Sequence, residues 1–89
     1  MKIQVEQKMF KEIEVKLPLF MKKDNFICQD YAKFDGQKVV LFTNWTDGTS
    51  NHTNCSKSVS DLLNDGFAQC SEKDFELGKQ IFIKHITNL

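Results

Sequence analysis

Few side chains in this chain are equipped for chemistry. Asp47, His52 and Cys55 share one polar stretch, and Cys28, Cys70 and His85 stand elsewhere. Asp47, His52 and Cys55 with one of the other three would make a four-donor metal set. Structural zinc sites, however, draw on paired ligands at tight spacing such as Cys-x2-Cys, and here there is a single His-x-x-Cys. A polar-loop histidine and three small, buried or half-buried thiols account for the same residues without a metal. A Cys–His nucleophilic pair is the second arrangement to weigh, and it needs an electropositive, partly exposed thiol and an oriented base. Cys70 precedes a helix start, which is expected to lower its pKa, but packing of Cys70 on Phe75 explains the residue with no chemistry. Gly-rich phosphate loops, His-Glu-x-x-His, Gly-x-Ser-x-Gly and EF-hand patterns are absent from the sequence. The expectation is therefore no catalytic residue, no metal ligand and no cofactor, with a Cys-dependent enzyme on Cys70 or Cys55 as the least favoured alternative.

A third constellation is aromatic. Tyr31, Phe34, Phe42 and Trp45 on a sheet face could stack bases at about 1–3 kcal/mol each. Charge argues against that use: twelve basic residues balance twelve acidic ones, and every basic residue is Lys. Nucleic-acid affinity rests on a basic face, and bidentate recognition of phosphate and bases on Arg, so nucleic acid is disfavoured as a partner. The charge is only mildly segregated, six Lys against four acids over residues 1–25 and three against five over 56–79. Most of the eight Phe are expected in the core. Trp45 differs because it heads a polar stretch, where it either closes over the sheet or meets a partner, for which Trp is a common anchor. The residues expected to carry an interaction are Trp45, Tyr31, Phe42 and His52.

A chain of 89 residues makes a single small domain over 1–89, burying roughly 60–65% of its unfolded surface. The first eleven residues carry charge every few positions with no apolar core, and no apolar run approaches the roughly 20 residues of a membrane span. A cytoplasmic location, no membrane association and free thiols are the expectations. Lys-only, Asn-rich usage resembles AT-rich coding sequence, as in many phages and low-GC bacteria.

The positioning elements begin with residues 26–44, FICQDYAKFDGQKVVLFTN, in which Asp35-Gly36 between two β-rich runs predicts a hairpin with a type I′ turn. That turn places Phe34 opposite Gln37, Ala32 opposite Val39, Tyr31 opposite Val40, Asp30 opposite Leu41 and Gln29 opposite Phe42. One face then carries Phe26, Cys28, Ala32, Phe34, Val39 and Leu41, and the other Ile27, Tyr31, Val40 and Phe42. Both faces are apolar, so both need cover. Alternation of Ile13, Val15, Leu17 and Leu19 predicts a strand over 11–20, in which Pro18 suits an edge strand or a strand end. A shorter strand is preferred to a helix over 3–9, and 22–25 reads as a polar turn. Residues 43–57 read as a long polar loop. Ser58 with Asp61 starts a short helix over 58–65 stopped by Gly66, and 67–70 could add a strand. Ser71 with Asp74 caps a C-terminal helix whose apolar face is Phe75, Gly78, Phe82, Ile86 and Leu89, with Ile81 on its shoulder. Gly78 on that face predicts a close approach by a neighbour.

These elements predict an α+β fold, an antiparallel β-meander of three to five strands with a short helix and a C-terminal amphipathic helix packed on one face. The expected function is that of a small non-enzymatic protein–protein interaction or accessory protein of phage or mobile-element type. It would act through an uncovered apolar sheet face and the Trp45 loop, on a protein partner or on itself as a homodimer. The alternative is a protein that binds or sequesters a nucleotide or metal.

Overall fold

Cys28–Phe34 and Val39–Trp45 pair antiparallel along their whole length, from Phe34 opposite Val39 to Cys28 opposite Trp45. They are β4 and β5 of a computed structural model that describes residues 1–5, 11–14, 16–55 and 57–87. The remaining elements in chain order are β1 (Lys2–Val5), β2 (Lys11–Glu14), β3 (Leu19–Asp24), β6 (Ser50–Cys55), α1 (Val59–Asn64), β7 (Ala68–Gln69) and α2 (Glu72–Thr87). β1 and β2 form a two-stranded ribbon, and the other five strands form one antiparallel sheet in the order β6-β5-β4-β3-β7. The α+β architecture expected from the sequence is the one observed.

The central hairpin turns differently from the type I′ expectation. Asp35 donates its N–H to the Lys38 carbonyl (3.4 Å), so the loop residues are Gly36 and Gln37. Gly36 alone has positive φ, 104°, whereas a type I′ turn needs two such residues. Asp35 stays in ordinary backbone space and uses its carboxylate instead, accepting the N–H groups of Gln37 and Lys38 at 2.9 Å each. Those bonds hold its carboxyl below the usual range. Every pairing moves by two residues, Ala32 to Leu41 and Tyr31 to Phe42. Because side chains alternate with a period of two, the shift leaves each residue on its expected face.

Three other expectations are corrected. The alternating run over 11–20 is two strands, β2 and β3, separated by exposed Lys16, Leu17 and Pro18, with a cis Leu17–Pro18 bond. The polar turn expected at 22–25 lies later, since β3 runs through Asp24. The long loop expected over 43–57 holds the end of β5, a tight turn and β6. That turn is a second Asp-Gly: Gly48 has φ 92° and the Trp45 N–H bonds the Thr49 carbonyl at 2.9 Å. β6 (SNHTNC) holds one Thr and two Asn, and Asn is depleted in strands, so here pairing with β5 overrides local propensity. Of the segment 3–9, Ile3 to Val5 belong to β1 and the rest lie outside the described residues.

Both sheet faces are covered. On one, Leu19, Met21, Ala32 and Val39 pack with Val59 and Leu62 of α1 and with Phe67, and Ile3 of β1 joins from the ribbon. On the other, Phe20, Tyr31 and Phe42 pack with Phe75 of α2, and Cys70 and Phe82 close the edge of the cluster. Phe42 sits at the centre, stacked on Tyr31 at 5.1 Å and edge-on to Phe75 at 5.4 Å. The uncovered apolar face expected from the sequence is thus filled, by β1, α1 and Phe67.

Both helices start as their sequences predict. Ser58 and Asp61 form a reciprocal capping box on α1, and the Ser71 hydroxyl accepts the Asp74 N–H on α2 at 3.1 Å. Gly78 is where α2 meets the sheet: a Cβ there would stand 2.4 Å from Tyr31 Cζ. The Gly78 carbonyl also accepts a hydrogen bond from Asn44 Nδ2 at 2.9 Å. Gly78→Ala, ordinarily a gain in a helix, is therefore expected to cost about 1–3 kcal/mol in urea unfolding by overpacking. A gain would show that Tyr31 moves aside without cost.

Candidate functional site

Covering both faces leaves the ends and edges of the sheet to meet other molecules. The most distinctive feature is the turn between β3 and β4. Its backbone is closed by the Asn25 N–H bonding the Cys28 carbonyl at 2.9 Å, and it is tied to the neighbouring turn by the Thr46 N–H bonding the Ile27 carbonyl at 3.0 Å. On this frame the Phe26 side chain is fully exposed and Ile27 is 61% exposed. Period-two alternation continues through both and predicts them on sheet faces; because β3 runs through Asp24 and β4 begins only at Cys28, they fall in the turn instead. Trp45, half-buried, lies one rung inward, opposite Cys28. A single exposed apolar residue is ordinary. Two adjacent ones on a hydrogen-bonded turn, next to a Trp, form a small apolar tip at one end of the sheet.

A second feature is a cleft of about 410 Å³ beside α1, lined by Lys23, Asp30, Leu41, Lys57, Leu62, Asp65 and Phe67. Leu41, Leu62 and Phe67 make an apolar floor and the two lysines and two aspartates a charged rim. Lys57 and Asp65 are paired at 2.6 Å, which holds the Asp65 carboxyl below its usual range. Asp30 accepts the Thr43 hydroxyl at 2.5 Å.

No family model matches the chain, and neither the curated proteins nor the solved structures give a match.

The four residues expected to carry an interaction divide. Tyr31 and Phe42 are 3% and 4% exposed beneath α2 and belong to the core, which removes them from any contact surface. Burial also pushes the Tyr31 hydroxyl up, against the opposing charge of Lys22. Trp45 stays half-accessible at the tip, and His52 is exposed on β6, its ring 6.2 Å from Phe82. Sequence alternation could not separate the buried aromatics from the exposed ones, because helix cover falls over a face as a whole.

The candidate chemical residues do not converge. Among the described residues no three His, Cys, Asp or Glu side chains group as metal ligands. Asp47 is committed to its turn, accepting the Thr49 N–H at 3.0 Å and hydroxyl at 2.6 Å, which lowers its pKa. Cys28 is buried, Cys55 is placed by its backbone pairing with Val39, and Cys70 is half-buried. Burial pushes the Cys70 thiol up and Asp74 adds to the shift, reversing the lowering expected from the helix start. A thiol so shifted is a poorer nucleophile at neutral pH.

His85 does meet a hydroxyl. Its Nδ1 lies 2.8 Å from Ser50 Oγ and 3.1 Å from the Thr49 carbonyl. A carbonyl only accepts, so Nδ1 carries the proton and points it at both oxygens. Ser50 then donates to Asn44 Oδ1 at 2.8 Å, and Asn44 to the Gly78 carbonyl. In that polarity His85 is a donor to Ser50 and not its base, and the chain of bonds fastens the second half of α2 to β5 and β6.

Proposed function

We propose that this protein is a small non-enzymatic interaction module that docks on a protein partner through its apolar tip. The observation that carries the reading is the exposure of Phe26 and Ile27 on a turn held by two backbone hydrogen bonds. Burying each side chain in a partner's pocket would contribute about 1.5–3 kcal/mol. Little ordering cost opposes this, because the turn is already fixed in the free protein. Trp45 at the edge of the tip supplies a third contact. The raised Cys70 thiol and the donor role of His85 agree with a non-catalytic reading. An accessory role, as of phage or mobile-element proteins working inside the cell, fits the small size and Lys-only composition.

Paired affinity captures with the wild-type chain and the Phe26→Ser/Ile27→Ser variant test this directly. Partners held by the wild type are expected to be lost from the variant, while its unfolding midpoint stays unchanged. The same partners on both proteins would sink the proposal.

The cleft favours a second reading, a binder of a small charged ligand such as a nucleotide or a divalent metal. Its volume lies within the range of ligand pockets, and its rim offers charges of both signs over an apolar floor. A thermal-shift panel of nucleotides and metals would then show stabilisation that grows with ligand concentration and is lost in Lys23→Ala. A flat panel ends this reading.

A further inference from the structure

The outer side of β6 is the sheet's open edge: among the described residues, no strand pairs with it. The Trp45–Thr49 hydrogen bond fixes which of its groups point outward. That rung is hydrogen-bonded, so antiparallel alternation makes Thr43–Asn51 and Leu41–Thr53 bonded rungs as well, and Asn44–Ser50, Phe42–His52 and Val40–Asn54 non-bonded ones. The N–H and C=O groups of Ser50, His52 and Asn54 are therefore directed away from β5, a row three residues long available to another strand.

Proteins usually guard such an edge with Lys, Pro or a bulge. β6, Ser-Asn-His-Thr-Asn-Cys, has no charged residue and no Pro, and its six residues pair with β5 without a bulge. We infer that the β6 edge pairs antiparallel with β6 of a second copy of this chain, joining two five-stranded sheets into one of ten.

Three observations select a second copy over an unrelated strand. The outward row is self-complementary: a two-fold axis at His52 sets His52 against His52 of the second copy and Ser50 against Asn54, so every outward donor meets an acceptor. β6 itself carries no Asp, Glu or Lys, so the edge sets no fixed charge against that of a second copy. Finally, the second half of α2 lies over this edge, as the His85–Ser50 bond and the Phe42–Phe82 contact at 5.3 Å show, and it leaves Ile81, Ile83 and Ile86 exposed. Two-fold pairing of β6 brings these helices side by side, where apolar residues of one can meet those of the other. Since β3–β4 and β5–β6 turn at the same end of the sheet, the reversed strand of the second copy puts the two Phe26 tips at opposite ends of the dimer.

Light scattering is expected to give a mass of twice 10.3 kDa for the wild type. Asn51→Lys, which sets two cations near the axis, and His52→Pro, which removes an outward N–H but no bond to β5, are each expected to run as monomers. In hydrogen exchange the His52 and Asn54 amides should be protected in the wild type and exchange quickly in Asn51→Lys. A wild type that is monomeric at its highest soluble concentration would overturn the inference, as would a dimer that survives Asn51→Lys with those amides unprotected. Phe26→Ser/Ile27→Ser should remain dimeric, so failure at the tip and failure at the edge are separately visible.

Discussion

The structure depends on the β4–β5 pair being apolar on both faces. Ala32, Val39 and Leu41 point one way, Tyr31 and Phe42 the other, and neither set can stay in water. Each remaining element answers that demand. α1, Phe67 and Ile3 of β1 close one side, and α2 closes the other, brought down until Tyr31 lies against the backbone of Gly78. A side chain at position 78 would hold the helix away, so one glycine sets the depth of the second core. The polar run through Gly78, Asn44, Ser50 and His85 then fixes where along the sheet the helix settles.

With both faces consumed, contact with other molecules falls to what packing leaves over. The β3–β4 turn is short and hydrogen-bonded, and it carries its two apolar residues outward because the sheet ends beneath them. Among the described residues no strand pairs with the outer edge of β6, and β6 carries no Asp, Glu or Lys to discourage one. The cleft by α1 has an apolar floor and charges of both signs, though its Lys57–Asp65 pair already satisfies part of that charge internally. Tip and edge lie in different directions, which allows one to bind a partner while the other binds a copy.

Much of this was legible in the residues. The capping box at Ser58, the Ser71 cap and the close approach at Gly78 all follow from local rules, and each is observed. The faces of the central hairpin also came out correctly although its turn did not: Asp35 bonds the turn with its carboxylate instead of entering it, and a two-residue shift preserves side-chain parity. What local pattern could not show was burial from above. Tyr31 and Phe42 looked available because nothing in their own strands announces the helix that covers them. Residues 43–57 looked like loop because Ser, Asn and Thr are read as irregular, yet an edge strand with little to bury tolerates them and the Asp47-Gly48 turn had the same signature as Asp35-Gly36. Phe26 and Ile27 differ from their expected place on the sheet faces for the opposite reason, since apolar residues next to a strand are assigned to its core by default.

The division between residues that build the fold and residues held out for contact is most directly measured by urea unfolding of Phe42→Ala beside Phe26→Ala. The first is expected to lose about 3–5 kcal/mol, and the second to stay within about 0.5 kcal/mol of the wild type. Comparable losses in the two variants would mean that Phe26 belongs to the core and that the exposed tip does not exist.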